Sequence, residues 1–393
     1  MLKTPRNNQQ SGAVSLFVVM FAALLITVVT VSFIRIMVQD QQQATTVDLS
    51  QSAYDSAQAG VEDAKRALLR YKDICDNSGD VACAEAAAQV NSLVCNEALS
   101  DLQDITIDNN EIKIQSGSNN NSLDQAYTCV KIALDTEDYL GSLLANTSQL
   151  VPLKVADGES FSTVRLQWYS SVDLGSTDNF EINLQSASSS TWPLLSQNAW
   201  PTNRPSIMRA QLIQFGDNGF RLSDFDGNSA TESNTNTLFL YPSGDTGVAS
   251  SEITSRAFVE RDIRKTPTGT PLPINCSGNI SAGGYACTVD LQLPTPINGG
   301  ERTAFLKISA LYNGSHYRVT LLDGAIPTKF SAVQPEVDST GRANSLFRRV
   351  KARVELLDTT FSYPDATIDI SGNFCKDFLI TDTQYQPGSC TSE

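Results

Sequence analysis

The sequence predicts an α+β protein: a long N-terminal α-helix, transmembrane and then amphipathic, followed by a β-rich, disulfide-containing globular head of antiparallel sheets. Three observations predict it. Residues 13–34 carry no charged side chain. Residues 35–72 contain no proline and a single glycine, Gly60. Beyond about residue 150, short β-branched runs alternate with clusters of Ser, Thr, Asn, Pro and Gly, the pattern of strands joined by turns.

The first twelve residues, MLKTPRNNQQSG, hold Lys3 and Arg6 and no acid. The uncharged stretch that follows is about 33 Å long as a helix, enough for a hydrocarbon core of about 30 Å. Lys3 and Arg6 predict a cytoplasmic N-terminus. A cleaved secretory signal has a shorter apolar region ending in a small-x-small site, and no such site follows Ile34. The expected boundaries are a leader over 1–12, a membrane helix over 13–36 and a water-exposed amphipathic helix over 37–72.

Within the amphipathic part, Val47, Tyr54, Val61 and Leu68 recur every seven residues, and Ala57, Ala64 and Tyr71 follow the last three of them by three. That is a narrow apolar stripe on a polar helix. It predicts docking on a globular head; the other reading is a coiled coil that dimerises beside the membrane.

Residues 73–148 predict a mixed α/β subdomain with four cysteines. An Ala-rich helix is expected over 82–102, and a hairpin pairing 105–107 with 112–114 about Asp108-Asn109-Asn110. A strand is expected over 127–134 and a loop over 116–122. Residues 149–393 predict the β-rich head, with strands over 162–170, 206–215, 237–241, 285–291, 304–311, 317–322, 348–356 and 374–380 in a sandwich-like body. The segments 174–203 and 265–281 read as long surface loops.

Composition limits the function classes. The 393 residues carry a formal net charge of −15 and a pI near 4.5, so binding to phosphate backbones is not expected. Of the eight cysteines, none lies in the leader or the apolar stretch. An even number of cysteines in a non-cytoplasmic segment reads as disulfides. Local pairs are expected, Cys276 with Cys287 and Cys375 with Cys390. Cys75, Cys83, Cys95 and Cys129 are expected to pair among themselves in an order that sequence does not assign.

No cofactor or metal site is expected, and no enzymatic activity. The only histidine is His316, so a Ser–His–Asp triad would have to use it, and no Gly-x-Ser-x-Gly elbow is present. A lone histidine reads as structural. Asp224, Asp226 and Asn228 have the spacing of a calcium loop, but Ser229 stands where that loop needs glycine, so a polar turn is expected. Asn120, Asn146, Asn275, Asn279 and Asn313 stand in Asn-x-Ser/Thr sequons, which matter only in a host that glycosylates them.

A basic leader ending in glycine, an apolar helix beginning at once, a continuous amphipathic helix and a β-rich head together resemble a type IV prepilin. The stretch AQAGVEDAKRALL at 57–69 is similar to that of PilX-like minor pilins of the type IV pilus. The resemblance implies cleavage between Gly12 and Ala13 by a membrane prepilin peptidase, methylation of the new N-terminus, and assembly with other pilins through the N-terminal helix. It also implies that Cys375 and Cys390 close a C-terminal loop. Major pilins carry a glutamate five residues into the mature chain, thought to neutralise a neighbour's N-terminal ammonium. Here that position is Phe17, which suits a subunit at a filament tip or in a priming complex.

The expected function is therefore a structural, non-enzymatic subunit of a type IV pilus or related filament. Its expected location is the cytoplasmic membrane with the N-terminus inside, and then the cell surface or pilus, with the bulk of the chain extracytoplasmic. The alternative is a signal-anchored surface adhesin or binding ectodomain that joins no filament. An anchored extracellular enzyme has no support beyond chain length.

Overall fold

The computed structural model describes residues 11–92, 94–103, 105–114, 124–174, 181–186, 195–214, 235–245, 253–258, 271–280, 284–300 and 304–356. The chain is α+β and divides into two compact units, Met1–Ile132 with Val337–Ala352, and Ala133–Glu336 with Arg353–Glu393. The 148/149 boundary expected from sequence falls inside the second unit.

The first unit begins with α1, Ser11–Asn77, 67 residues without a break. It runs five residues beyond the expected end at Lys72 and stops where Gly79, at φ 83°, takes a left-handed conformation open to glycine. The Cys75–Cys83 disulfide spans that stop. Next come α2, Asp80–Val90, and α3, Glu97–Gln103. One Ala-rich helix over 82–102 was expected; two are found. Asn96 explains the break. It is buried with φ 65°. Its backbone N–H donates to Val130 O at 2.9 Å, and its side-chain oxygen accepts from Val130 N–H at 2.8 Å. Beside it, Cys95 is bonded to Cys129.

A four-stranded sheet has the order β1-β2-β15-β16; β1, β2 up to Ile132 and β15 from Val337 belong to the first unit. Its strands are β1, Ile112–Lys113; β2, Gln125–Thr136; β15, Phe330–Ala343; and β16, Leu346–Arg353. The expected hairpin about Asn109-Asn110 shrinks to the single bridge Asp108–Glu111, and residues 105–107 form no strand. Instead β1 pairs with β2, Ile112 opposite Tyr127. Arg342 holds this corner: it donates twice to Glu111, at 3.0 and 2.6 Å, and once to Asp124 at 2.8 Å.

The second unit is a sandwich of two six-stranded sheets. In chain order its strands are β3, Tyr139–Leu143; β4, Ser148–Leu153; β5, Ser160–Ser170; β6, Gln185–Ser186; β7, Ile207–Gln214; β8, Thr235–Asp245; β9, Thr254–Ala257; β10, Leu272–Asn275; β11, Tyr285–Asn298; β12, Ala304–Leu311; β13, Ser315–Asp323; and β14, Ile326–Thr328. One sheet runs β10-β8-β7-β12-β4 with β6 on β8, the other β14-β13-β5-β11-β9 with β3 on β13. Most pairs are antiparallel, but β10 and β6 both join β8 in parallel, and β9 joins β11 in parallel.

Alternation places the core. In β13, Ser315, Tyr317, Val319 and Leu321 are buried, while His316 and Asp323 are exposed. Phe161, Val164, Leu166 and Trp168 of β5 meet Met208, Ala210 and Leu212 of β7 and Leu306 and Ile308 of β12 in one apolar cluster. Cys276 and Cys287 form the expected disulfide. The Cys375–Cys390 pair, the strand over 374–380, the loop at 116–122, Asn120 and the Asp224, Asp226, Asn228 turn lie outside the described residues.

Candidate functional site

The residues expected to serve processing and assembly, Gly12, Ala13, Phe17, Val47, Tyr54, Val61 and Leu68, lie on α1, whose character changes along its length. From Leu16 onward the apolar stretch is long enough to cross a membrane, and none of its most apolar window is buried against the chain. Leu24, Leu25, Ile26, Val28 and Phe33 all point outward. Water would oppose such a surface, whereas lipid accepts it. Three hydroxyl side chains sit between Leu16 and Ile34, and each is satisfied by its own helix. Thr27 donates to Ala23 O at 3.0 Å, Thr30 to Ile26 O at 2.7 Å and Ser32 to Val28 O at 2.8 Å. An unsatisfied hydroxyl would cost far more in hydrocarbon. Gly12 and Ala13 lie in the first turn of α1. Phe17 is exposed, and its ring is an apolar surface that lipid would accept, where a carboxylate would need a partner.

From Ala53 the helix buries one face, against β15 and β2 at Ala53, Ala57 and Gly60, and it also packs on α2 and α3. The buried residues are Ala53, Ser56, Ala57, Gly60, Val61, Ala64, Ala67, Leu68 and Tyr71. The seven-residue series is thus only half right. Val61 and Leu68 are 6% and 0% exposed, but Val47 and Tyr54 are 59% and 41% exposed. The face follows small residues at three- and four-residue steps because β15 approaches the helix backbone. A Cβ on Gly341 would overlap the Ala57 nitrogen and the Ala53 oxygen, and one on Gly60 would press on Ser339, Val130 and Tyr127. Large branched residues could not be accommodated there, so counting them located the wrong edge of the face.

Polar contacts fix the register of helix on sheet. Tyr127 donates to Asp63 at 2.6 Å, and Asp63 also pairs with Arg66 at 2.7 Å. Burial, reinforced by the hydrogen bond to Asp63, pushes the Tyr127 phenol well above its ordinary pKa, so it stays a donor. Arg348 donates to Ser50 at 2.8 Å. The outer face carries Lys65–Glu62 and Lys72–Asp76 pairs, worth only tenths of a kcal/mol each. Leu68→Ala is accordingly expected to cost about 3 kcal/mol, and Val47→Ala less than about 0.5 kcal/mol. Urea unfolding of the detergent-solubilised chain would measure both, and equal costs would contradict the docked face.

The second unit contains a cavity of about 390 Å³ lined by Ser142, Leu143, Tyr169, Asp173, Ser315 and His316, among others. Asp173 follows β5 in a short 3-10 turn, Ser171–Leu174. Its carboxylate accepts from Ser170 N–H at 2.7 Å and from His316 N–H at 3.1 Å. It also meets His316 Nδ1 at 2.6 Å. The Asp173 side chain is 8% exposed and that of His316 46%. Tyr169 closes the wall: its N–H donates to Ser315 Oγ at 2.9 Å and its hydroxyl to Thr202 O at 2.9 Å, on a backbone at φ 64°. A bulky residue rarely adopts that angle. Sequence reading singled out His316 but not Asp173, 143 positions away, since only the β5–β13 pairing brings them together. Among the described residues no group of three or more His, Cys, Asp or Glu could hold a metal ion.

No family model matches the chain, and neither a curated protein nor a solved structure matches it.

Proposed function

We propose that this chain is a pilin-like structural subunit, anchored in the cytoplasmic membrane by α1 before incorporation into a type IV filament, with its disulfide-bonded body outside the cytoplasm. One observation carries the reading: a single uninterrupted helix, Ser11–Asn77, offers an apolar outward surface over its first part and buries small residues in its own sheet over its second. A plain anchor needs about twenty apolar residues and no rigid continuation. A subunit that leaves the lipid to pack beside others needs a stiff helix tied to folded chain at one end, and the close approach of Gly341 to Ala53 and Ala57 within the first unit supports that reading.

Three disulfides support an oxidising compartment. Phe17, in place of a carboxylate, supports a terminal or priming position: such a subunit can present its own N-terminal amine but cannot neutralise a neighbour's. The proposed partners are other pilins, through α1, and a prepilin peptidase acting between Gly12 and Ala13.

Mass spectrometry of the N-terminus is expected to find a chain beginning at Ala13. Gly12→Lys is expected to abolish that processing and to remove the protein from sheared filaments. A chain keeping Met1 to Gly12 in cells with an active prepilin peptidase would overturn the proposal. It would leave a signal-anchored binding protein as the reading.

A further inference from the structure

We propose that the His316 cavity is a serine-type ester-hydrolysing site, with Ser142 as nucleophile, His316 as general base and acid, and Asp173 as the residue that positions the imidazole. The inference does not rest on membrane anchoring or filament assembly.

The Asp173–His316 arrangement has the directional character that base catalysis needs. Nearly buried, the Asp173 carboxylate is fixed by backbone donors from Ser170 and His316. Its short contact with Nδ1 draws the ring proton to that nitrogen and leaves Nε2 with its lone pair. Half of the His316 side chain remains accessible. A histidine serving only to fasten β13 would need neither the exposed half nor a cavity beside it.

Ser142 is placed by register. It is the direct partner of His316 in the antiparallel β3–β13 pairing, so the two side chains leave the same face with Cβ atoms about 5 Å apart. Both line the cavity. The other serine at hand is disqualified, because the Ser315 hydroxyl is buried, accepts from Tyr169 N–H and donates to His316 O. Tyr169, held at φ 64° by hydrogen bonds at both ends, gives the wall a strained backbone of the kind that gathers at functional sites.

The chemistry balances without a cofactor. Ser142 Oγ adds to the acyl carbon as its proton passes to Nε2, and the carbonyl π pair moves onto oxygen. Collapse breaks the bond to the alcohol, which leaves with the proton from Nε2. Water then gives a proton to Nε2 and adds to the same carbon. Ser142 Oγ departs and recovers that proton, and a carboxylic acid is released. The substrate class follows from the lining. Among the described residues the wall offers Leu143, Leu144 and the Tyr169 ring as apolar surface, Thr202 and Asn313 as neutral polar groups, Asp173 as an anion, and no Lys or Arg. A neutral ester with a short acyl chain fits; a substrate that needs its carboxylate recognised does not.

The test uses the full chain in detergent micelles, with 4-nitrophenyl butyrate as substrate and a fluorophosphonate as covalent probe. The expected result is an adduct on the Ser142 peptide and a hydrolysis rate that falls about 100-fold or more in Ser142→Ala and His316→Gln. Asp173→Asn should lower the rate and alter its pH profile. Ser142 is exposed on a short strand, so Ser142→Ala is expected to melt as the native chain does, and that variant decides the matter even if the others unfold. An adduct at another residue, no adduct, or equal rates for the native chain and Ser142→Ala would overturn the assignment.

Discussion

Gly341→Val is expected to destabilise the first unit by about 3 kcal/mol, the upper end of the usual cost of overpacking, far more than valine costs in an ordinary strand, where β-branched residues are favoured. The Gly341 backbone is not in a left-handed conformation, so the reason is proximity. The Ala53 oxygen and Ala57 nitrogen that an added Cβ would overlap are the acceptor and donor of one hydrogen bond of the α1 helix. A side chain at 341 would sit on that bond. No rotamer relieves a clash with backbone, so the strand must retreat from the helix, and the close packing at Ala53, Ala57 and Gly60 is lost with it. Hydrogen exchange of residues 337–343 and urea unfolding of the detergent-solubilised chain would report the loss. Gly60→Ala is the milder comparison, because its neighbours are the Ser339, Val130 and Tyr127 side chains, which can shift. A Gly341→Val chain with native exchange rates on β15 would show that helix and strand do not approach so closely.

That contact also marks where sequence reading reached its limit. The apolar span was legible because 22 uncharged residues in a row leave few other meanings. Strands β5, β7, β12 and β13 were legible from branched and aromatic residues at alternate positions. Strand β15 was not, although at 14 residues it is as long as any among the described residues. Its sequence, FSAVQPEVDSTGRA, places Pro335, Asp338, Ser339 and Gly341 where a strand is expected to show Val or Ile. Those residues read as turns, yet Gly341 is required by the helix that passes over it. The same close approach misled the seven-residue count on α1. Small residues carry little hydrophobic signal, so Ala53, Ala57 and Gly60 were outweighed by Val47 and Tyr54, which the sheet does not cover.

The cavity shows a different kind of limit. His316 stood out as the only histidine, but its chemistry depends on what touches Nδ1, and that contact spans 143 positions. Residue type alone supported a structural reading. The carboxylate of Asp173 and the register that sets Ser142 opposite His316 exist only once β3, β5 and β13 are side by side. The sandwich itself followed from local alternation, whereas the parallel edges β9 and β10 required long connections that leave no local pattern.

Trp168→Ala is expected to be the most damaging single substitution in the second unit, costing about 5 kcal/mol. Trp168 on β5 is fully buried, and its indole N–H donates to Ser206 O at 3.0 Å. Ser206 leads into β7, so this one side chain fills the space between the sheets and ties them with a polar contact. Truncation leaves a large cavity, worth about 3–5 kcal/mol for an aromatic, and strands a buried carbonyl at about a further 1–3 kcal/mol; partial collapse of the site keeps the total below the sum of the upper limits. Trp168→Phe separates the two effects. It retains most of the ring volume while removing the donor, so a loss of about 2 kcal/mol would be carried mainly by the orphaned Ser206 carbonyl. Since His316 and Ser142 depend on the β3–β13–β5 arrangement, Trp168→Ala should also abolish fluorophosphonate labelling, and Trp168→Phe should not. A Trp168→Ala chain that melts within a degree or two of the native one would mean the sheets are held together elsewhere.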